Sequence, residues 1–513
     1  MSIAPVRPTP FQRLLNLIER AGNILPNSST LFAGLAVGVV LLSWWVSELG
    51  AQAVHPATGQ VVQIVNLCSI EGLHRMLVNI VPNFMAFPPL GNVLVCLLGI
   101  AVAERTGLIS AALRLIVLNA PRRLLTPILI FGGIMSHSGG DIGYVLMIPL
   151  GAAVFHTVGR HPIAGLAAVF AGVSGGFSAN LLISTLDPLL AGITQAAAAV
   201  VKPGIVVLPT ANYYFLFTAS FLLTAIGTVV TEKIVEPRLG PYTGAAPREE
   251  LKPLTAAEKR GLWWTAGSLA LLAAVILWGL FAPGGFLLDP KNPTFLASYF
   301  MRGLIGFIFL IGLTAGLAYG LGARTILSDS DVVRGMDASM TTMASYIVMA
   351  FFAAQFLAYF NWTNLGTVLA VNGAEGIKAL GLDGKPVLLM VALVLLSAGI
   401  DLVMGSASAK WTLMAPIFVP MFMLLGYSPE LVQGAYRIGD SCSNIISPLM
   451  LYFPLVLGFA QRYVPSTGIG TMIATMMPYS ITFIISWTSL LIIWIVCDIP
   501  MGPGAPLFLA KED

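Results

Sequence analysis

Apolar stretches follow one another along nearly the whole chain, and the charge needed to coat a water-facing surface is missing. The first stretch runs from about Leu31 to Leu49, close to the roughly 20 residues a bilayer core demands of a helix. Others lie near 76–103, 107–119, 122–137, 140–158, 162–200, 208–231, 261–281, 299–320, 338–360, 384–402, 403–425, 430–460 and 470–498. Only 10% of the 513 residues are charged, against roughly 25% in soluble domains. The chain therefore reads as an all-α polytopic membrane protein. A soluble multidomain enzyme, a disordered chain and a secreted disulfide scaffold are excluded. The 26 basic and 23 acidic residues balance to +3, too even to suggest a nucleic-acid partner. Cys68, Cys96, Cys442 and Cys497 show no paired spacing, so neither a disulfide nor a zinc site is implied.

Several stretches are not ordinary spans. Pro82-Asn83 and Pro88-Pro89 interrupt 76–103. The stretch 122–158 is two short segments meeting at Ser136-His137-Ser138-Gly139-Gly140-Asp141, and 384–425 meets likewise at Gly405-Ser406-Ala407-Ser408. Both read as re-entrant hairpins, because non-helical backbone at membrane depth survives only when buried in protein or lining a cavity. Residues 1–28 read as a cytoplasmic amphipathic surface segment. The loop 232–260 carries Lys233, Arg238, Arg248, Lys252, Lys259 and Arg260, whereas 283–297 carries only Lys291 and 51–73 carries no Lys or Arg. The positive-inside rule then places the N-terminus and 232–260 in the cytoplasm. That loop divides a first membrane half, 29–231, from a second, 261–498, with a tail at 499–513.

The halves share a repeat. Shifted by 267 residues, 141–176 and 408–443 coincide at nine of 36 positions, among them Pro149/Pro416, Gly159/Gly426, Pro162/Pro429, Gly172/Gly439 and Ser174/Ser441. Each copy reads as a hairpin, a Pro-containing helix and a polar break, in helices near 162–200 and 430–460. The breaks are expected at Ser174–Asn180 and Ser441–Asn444. Duplicated, interrupted helices point to the binding site of a secondary transporter, and an inverted repeat is the expected form.

Broken helices expose backbone carbonyls, which with hydroxyls and amide oxygens can replace the hydration shell of a small cation. Ser174, Ser178, Asn180, Ser441, Ser443 and Asn444 are the candidate ion ligands, with Asp401 beside them; for any single serine, bonding back to its own helix is the commoner use. A charge at mid-bilayer costs a few kcal/mol or more, so the rare intramembrane charges carry more weight. Asp187 precedes Pro188 and suits both a helix cap and a functional acid. Arg437 and Asp440, three apart, can pair on one helix face, and a guanidinium fork suits a carboxylate cargo. Asp141 sits at the first tip. Lys410 follows the second tip, where a solvent-facing mouth would suit it. Trp411 offers a face for stacking. No nucleophile elbow, P-loop, metalloprotease or intramembrane aspartyl protease motif is present, so an enzyme is not expected.

The runs Gly405–Trp411 (GSASAKW), Ala415–Pro420 (APIFVP) and Tyr436–Asp440 (YRIGD) resemble the p-aminobenzoyl-glutamate transporter (AbgT) family. So do Gly159–Leu166 (GRHPIAGL), Ala171–Asn180 (AGVSGGFSAN), Ile234–Gly240 (IVEPRLG) and Gly502–Pro506 (GPGAP). The resemblance implies a bacterial inner-membrane protein of about nine transmembrane helices and two re-entrant hairpins. It also implies a bowl-shaped homodimer with a deep aqueous basin. The implied activity is ion-coupled import or export of p-aminobenzoyl-glutamate, p-aminobenzoate or sulfonamides, with sodium or protons as coupling ion and no other cofactor. Family functional positions fall on Asp187, Ser408, Trp411, Pro429, Arg437, Asp440 and Pro448. Asp401 stands where the resemblance leads one to expect an uncharged residue, which bears on the ion site. A channel or sensor for small aromatic carboxylates is the alternative reading.

Overall fold

The computed structural model describes residues 28–54, 61–118, 121–136, 143–244 and 253–509. The described residues are almost entirely helical. One small antiparallel hairpin, β1 (Gln52–Val54) with β2 (Val61–Gln63), follows the first helix. It lies in a segment where the sequence suggested only loop.

Among the described residues seven helices are long and apolar enough to cross a membrane: Ser28–Glu48, Ile70–Arg105, Tyr213–Leu239, Ala256–Phe281, Leu304–Ala323, Ala344–Trp362 and Ile469–Val496. In chain order the helices are α1 (Ser28–Glu48), α2 (Ile70–Met85) and α3 (Pro88–Arg105), then α4 (Leu108–Leu118), α5 (Leu125–Met135) and α6 (Ile148–Thr157). Next come α7 (Pro162–Phe170), α8 (Leu186–Ala198), α9 (Tyr213–Val230), α10 (Ala256–Phe281), α11 (Leu304–Ala323) and α12 (Asp329–Thr342). The last seven are α13 (Ala344–Trp362), α14 (Leu365–Ala379), α15 (Pro386–Asp401), α16 (Ala407–Met423), α17 (Pro429–Asn444), α18 (Phe453–Tyr463) and α19 (Ile469–Val496). Helix α9 runs on through a π turn to Leu239, and α10 begins at Ala256. The basic connection is therefore shorter than the 232–260 read from charge alone. Residues 1–27, including most of the expected amphipathic segment, lie outside the described residues.

Two helix pairs stand where hairpins were expected. Helix α5 and α6, the latter preceded by a π turn at Gly143–Met147, form the first; α15 and α16 form the second. At 1.5 Å per residue, the 11 residues of α5 reach roughly 17 Å, about half of a bilayer core. The tip residues 137–142, with Asp141, lie outside the described residues.

The residues shared by the two copies do the same structural work in each. Gly159 and Gly426 adopt φ of +82° and +90°, which only glycine takes without strain, and so turn the chain out of each hairpin. Pro162 and Pro429 then occupy the first position of α7 and α17, where a missing N–H costs nothing. Gly172 and Gly439 let the first arm of each hairpin lie directly on the next helix. A Cβ at either would sit 2.3 Å from a backbone oxygen, of Ile130 or Val394 respectively.

Each of these helices is then interrupted. Helix α7 passes into a π turn, Ala171–Gly175, and the chain leaves helical geometry until α8. Helix α17 is instead regular through Asn444 and breaks only between Ile445 and Tyr452. The second break thus starts later than expected, so Ser441, Ser443 and Asn444 occupy a final helical turn. The main core joins both hairpins, both broken helices, α9 and α19. Around it α3 packs on α11, α11 on α10, and α13 on α1. Helix α10 turns Trp263, Trp278 and Phe281 outward, each more than two-thirds exposed, as a lipid-facing helix does.

Candidate functional site

The polar ends of the two broken helices meet inside this core. Leu186–Ala198 begins with Asp187 in its first turn, where the positive end of the helix dipole favours a carboxylate. Asp187 Oδ1 lies 2.7 Å from Arg437 Nη2. Its Oδ2 accepts from the Ser184 backbone N–H at 2.7 Å, the Ser184 hydroxyl at 3.0 Å and Asn180 Nδ2 at 3.2 Å. The helix is capped at Thr185, one position before its first residue Leu186, so Asp187 lies inside the first turn and not at the expected cap position, and its carboxylate is the charge partner of Arg437. Arg437 also donates to the Ser178 carbonyl at 3.3 Å, and the Ser178 N–H donates to Ser441 Oγ at 3.1 Å. The first break is thus strapped to the middle of α17.

The expected pairing of Arg437 with Asp440 is not made. Asp440 pairs instead with Lys410 Nζ at 2.6 Å. Lys410 pairs with Asp401 as well. All three side chains are completely buried, so Lys410 is in the protein interior and not in a solvent-facing mouth. Two carboxylates close to one place supply the counter-charge that a buried ammonium needs. Ser443 Oγ lies 2.7 Å from Asp401 Oδ2 and 2.6 Å from the Gly439 carbonyl. The Tyr436 hydroxyl donates to the Ala407 carbonyl at 2.5 Å and lies 3.2 Å from Asp440 Oδ1.

Trp411 is fully buried. One face lies on Tyr436, with ring centroids 4.4 Å apart and an interplanar angle of 27°. Its indole N–H donates to Thr194 Oγ1 at 2.8 Å. The bonding continues from Thr194 to Gln433 Oε1 at 2.6 Å, from Gln433 to Asn212 Oδ1 at 2.9 Å, and from Asn212 to the Glu430 carbonyl at 2.7 Å. This buried chain ties α16, α8 and α17 together. Thr194, Gln433 and Asn212 were absent from the sequence candidates; as single uncharged residues in different stretches they carry no spacing signal.

The six hydroxyl and amide candidates do not form one ligand shell. Ser178 and Ser441 meet through a backbone N–H, Asn180 serves Asp187, and Ser443 serves Asp401. Within this cluster four buried polar atoms find no partner among the described residues: Ser174 Oγ, Ser178 Oγ, Arg437 Nε and Asp440 Oδ2. Arg437 thus holds its carboxylate through one nitrogen, leaving part of its fork unused. Pro429 starts α17 eight residues before Arg437, about 12 Å along the axis, and touches none of these pairs. Pro448 lies in the second break.

A cavity of about 390 Å³ adjoins this cluster. Both copies contribute to its wall, including Tyr144, Phe177, Ser408, Asn444 and Tyr452. Ser408 and Asn444 were foreseen, and the aromatic residues were not. Tyr144 and Tyr452 stack with centroids 4.4 Å apart at 15°.

Over residues 13–509 the chain matches the family described as "AbgT putative transporter family". It is 40% identical to the p-aminobenzoyl-glutamate transport protein of Escherichia coli (strain K12) over 494 residues, 96% of each chain. The solved structure of the Alcanivorax borkumensis YdaH transporter superposes with a TM-score of 0.88 at 41% identity, covering 93% of this chain and 100% of that one. Neisseria gonorrhoeae MtrF, described within a class of antimetabolite efflux pumps, superposes with a TM-score of 0.90 at 44% identity. It covers 96% of this chain and 100% of its own.

Proposed function

The chain belongs to the AbgT transporter family, and on that premise we propose that it is an ion-coupled carrier of p-aminobenzoyl-glutamate and related aryl amines, including p-aminobenzoate and sulfonamides. The observation that carries the reading is the buried Asp187–Arg437 pair, which joins the two broken helices at mid-protein. A carrier must change the relation between such elements to expose its site alternately. The E. coli relative's substrate and the efflux class of MtrF support the cargo.

The charge count supports coupling to a cation. Among the described residues Asp187, Asp401 and Asp440 pair with Lys410 and Arg437, which leaves one surplus negative charge when all five are ionised. A proton or a sodium ion taken up at this cluster would balance it. The site residues are Asp187, Arg437, Asp440, Lys410 and Asp401 for charge, with Ser408 and Asn444 at the cavity. The protein sits in the bacterial inner membrane with its N-terminus cytoplasmic and works as a homodimer. Its two helix pairs are re-entrant hairpins, and the two broken helices bring seven long spans to nine.

The test is flux of radiolabelled p-aminobenzoyl-glutamate and of a sulfonamide in proteoliposomes. Sodium and pH gradients are imposed separately and in both orientations. Saturable flux that follows one gradient and is lost in Asp187→Ala and Arg437→Ala is expected. Flux that neither saturates nor responds to either gradient would instead identify a channel. Unchanged flux in both variants would remove the ion pair from the mechanism.

A further inference from the structure

We propose that the cargo's aromatic ring is held against Tyr144 and Tyr452 in the 390 Å³ cavity, and that this wall selects for aryl amines independently of any glutamyl group. The inference rests on the carrier reading and adds to it the place and chemistry of recognition.

The repeat supplies the argument. The 267-residue shift that aligns the copies carries Tyr144 onto Trp411, so each hairpin bears one aromatic side chain at the same position of its second arm. The two have different surroundings. Trp411 is sealed, with Tyr436 on one face and Thr194 on its N–H, and it does not border the cavity. Tyr144 does border it, as does its stacking partner Tyr452 from the second break. The stacking surface that the sequence located at Trp411 is therefore presented by its repeat mate. Phe177, from the first break, and Tyr346, from α13, add a third and a fourth aromatic side chain to the wall.

The cavity's size and polarity define the ligand class. A volume of about 390 Å³ lies at the lower end of the roughly 300–1,000 Å³ of small-molecule sites. Aromatic side chains favour offset or edge contact with a second ring. Ser408 and Asn444 offer hydrogen bonds to an amine, a carboxyl or a sulfonyl oxygen. No lysine or arginine among the described residues borders the cavity, so the described wall offers no cation to a glutamyl dianion. What the wall recognises is the para-substituted aryl amine, the part common to p-aminobenzoate and sulfonamides.

The experiment measures binding to the purified full-length protein in detergent by calorimetry, with p-aminobenzoate and a sulfonamide as ligands and N-acetylglutamate as the ring-free comparator. Wild type is expected to bind both aryl amines and not the comparator. Tyr144→Leu and Tyr452→Leu should raise Kd for both aryl amines about tenfold, while Tyr144→Phe and Tyr452→Phe restore most of the affinity. Leu variants that keep the wild-type melting midpoint and the wild-type Kd would overturn the proposal. So would N-acetylglutamate binding as tightly as the aryl amines. A second measurement serves if the Leu variants fail to fold. Leu451→Cys, at the cavity wall and 80% exposed, is labelled by a maleimide after the exposed Cys68 and Cys497 are changed to serine. Protection by p-aminobenzoate supports the site, and unaltered labelling at saturating ligand refutes it. Wild type that binds no aryl amine at all would overturn the carrier's substrate class together with this wall. Binding that survives in the Leu variants would overturn the wall alone.

Discussion

The pair that links the two halves makes an asymmetric prediction. Removing one partner of a buried ion pair costs about 3–5 kcal/mol, because the other charge is left without compensation. The two removals here are not equivalent. In Asp187→Ala, Arg437 retains one long bond, to the Ser178 carbonyl at 3.3 Å, and its Nε is already without a partner. That variant should show the full cost of about 3–5 kcal/mol. In Arg437→Leu, Asp187 keeps three donors from Ser184 and Asn180 and the N-terminal turn of α8. Hydrogen bonds to a charged group contribute about 1.5–3 kcal/mol each when made, so the loss should be smaller by about 1–2 kcal/mol. The double variant should recover part of the cost, since replacing both members of a buried pair by apolar groups is often neutral or stabilising. Unfolding of wild type, both singles and the double in mixed micelles, followed by fluorescence, yields the cycle. A coupling of about 2 kcal/mol, roughly a 30-fold change in the folding equilibrium, is expected, with Asp187→Ala the worst of the three. Effects that add within about 0.5 kcal/mol, or an Arg437→Leu loss exceeding that of Asp187→Ala, would refute the reasoning.

Lys410→Met leaves Asp401 and Asp440 buried beside each other without a cation, and should abolish flux and lower stability by about 3–5 kcal/mol. Adding Asp401→Asn should restore expression and folding, read by size-exclusion profile and melting midpoint, without restoring flux. Gly172→Ala and Gly439→Ala each place a methyl group 2.3 Å from a backbone oxygen; each should cost at least the roughly 1–3 kcal/mol of overpacking and depress flux to a similar degree, checked by melting and transport. Trp411→Phe keeps a ring on Tyr436 but loses the bond to Thr194, leaving a buried hydroxyl with one partner fewer. A loss of about 1 kcal/mol is expected in unfolding, with weaker transport.

The fold was legible because bilayer length and helix interruption are both written in local composition. The shared Gly159/Gly426, Pro162/Pro429 and Gly172/Gly439 pairs could be found by a simple shift, since each meets a local backbone need. Pairing was less legible. Arg437 and Asp440 satisfy the i,i+3 rule, yet tertiary neighbours outbid it: Asp187 is 250 residues from Arg437, and Lys410 is 30 from Asp440. No local spacing distinguishes those partners from any other charge. The second break starts later than expected because Ser441, Cys442, Ser443 and Asn444 have low helix propensity, whereas in the fold Ser443 bonds back to the Gly439 carbonyl, Ser441 accepts from the Ser178 N–H, and the helix continues. The β1–β2 hairpin, three residues a strand, was too short for alternation to show. Tyr144 was passed over because a lone tyrosine in an apolar stretch is ordinary until its repeat mate is compared with it.

That comparison also explains why the Lys410–Asp401–Asp440 cluster occurs in one copy. Under the same shift Lys410 falls on Gly143, Arg437 on Phe170, Asp440 on Val173 and Ser443 on Gly176. A side chain at Gly143 would have its Cβ 2.1 Å from Ser136 Oγ, so the first hairpin has no room for a lysine. Its neighbours on α7 are apolar and could not compensate one. Duplicating the cluster would double the desolvation cost of burying charge; the chain instead keeps Lys410 and Arg437 in the second half and meets Arg437 with Asp187 from the first. Asp187–Arg437 is thus the one fully buried ion pair between the halves among the described residues. Any motion that separates the broken helices must break that pair, so the energy measured in the double-variant cycle is also a lower bound on what coupling ion and cargo together must supply to move them apart.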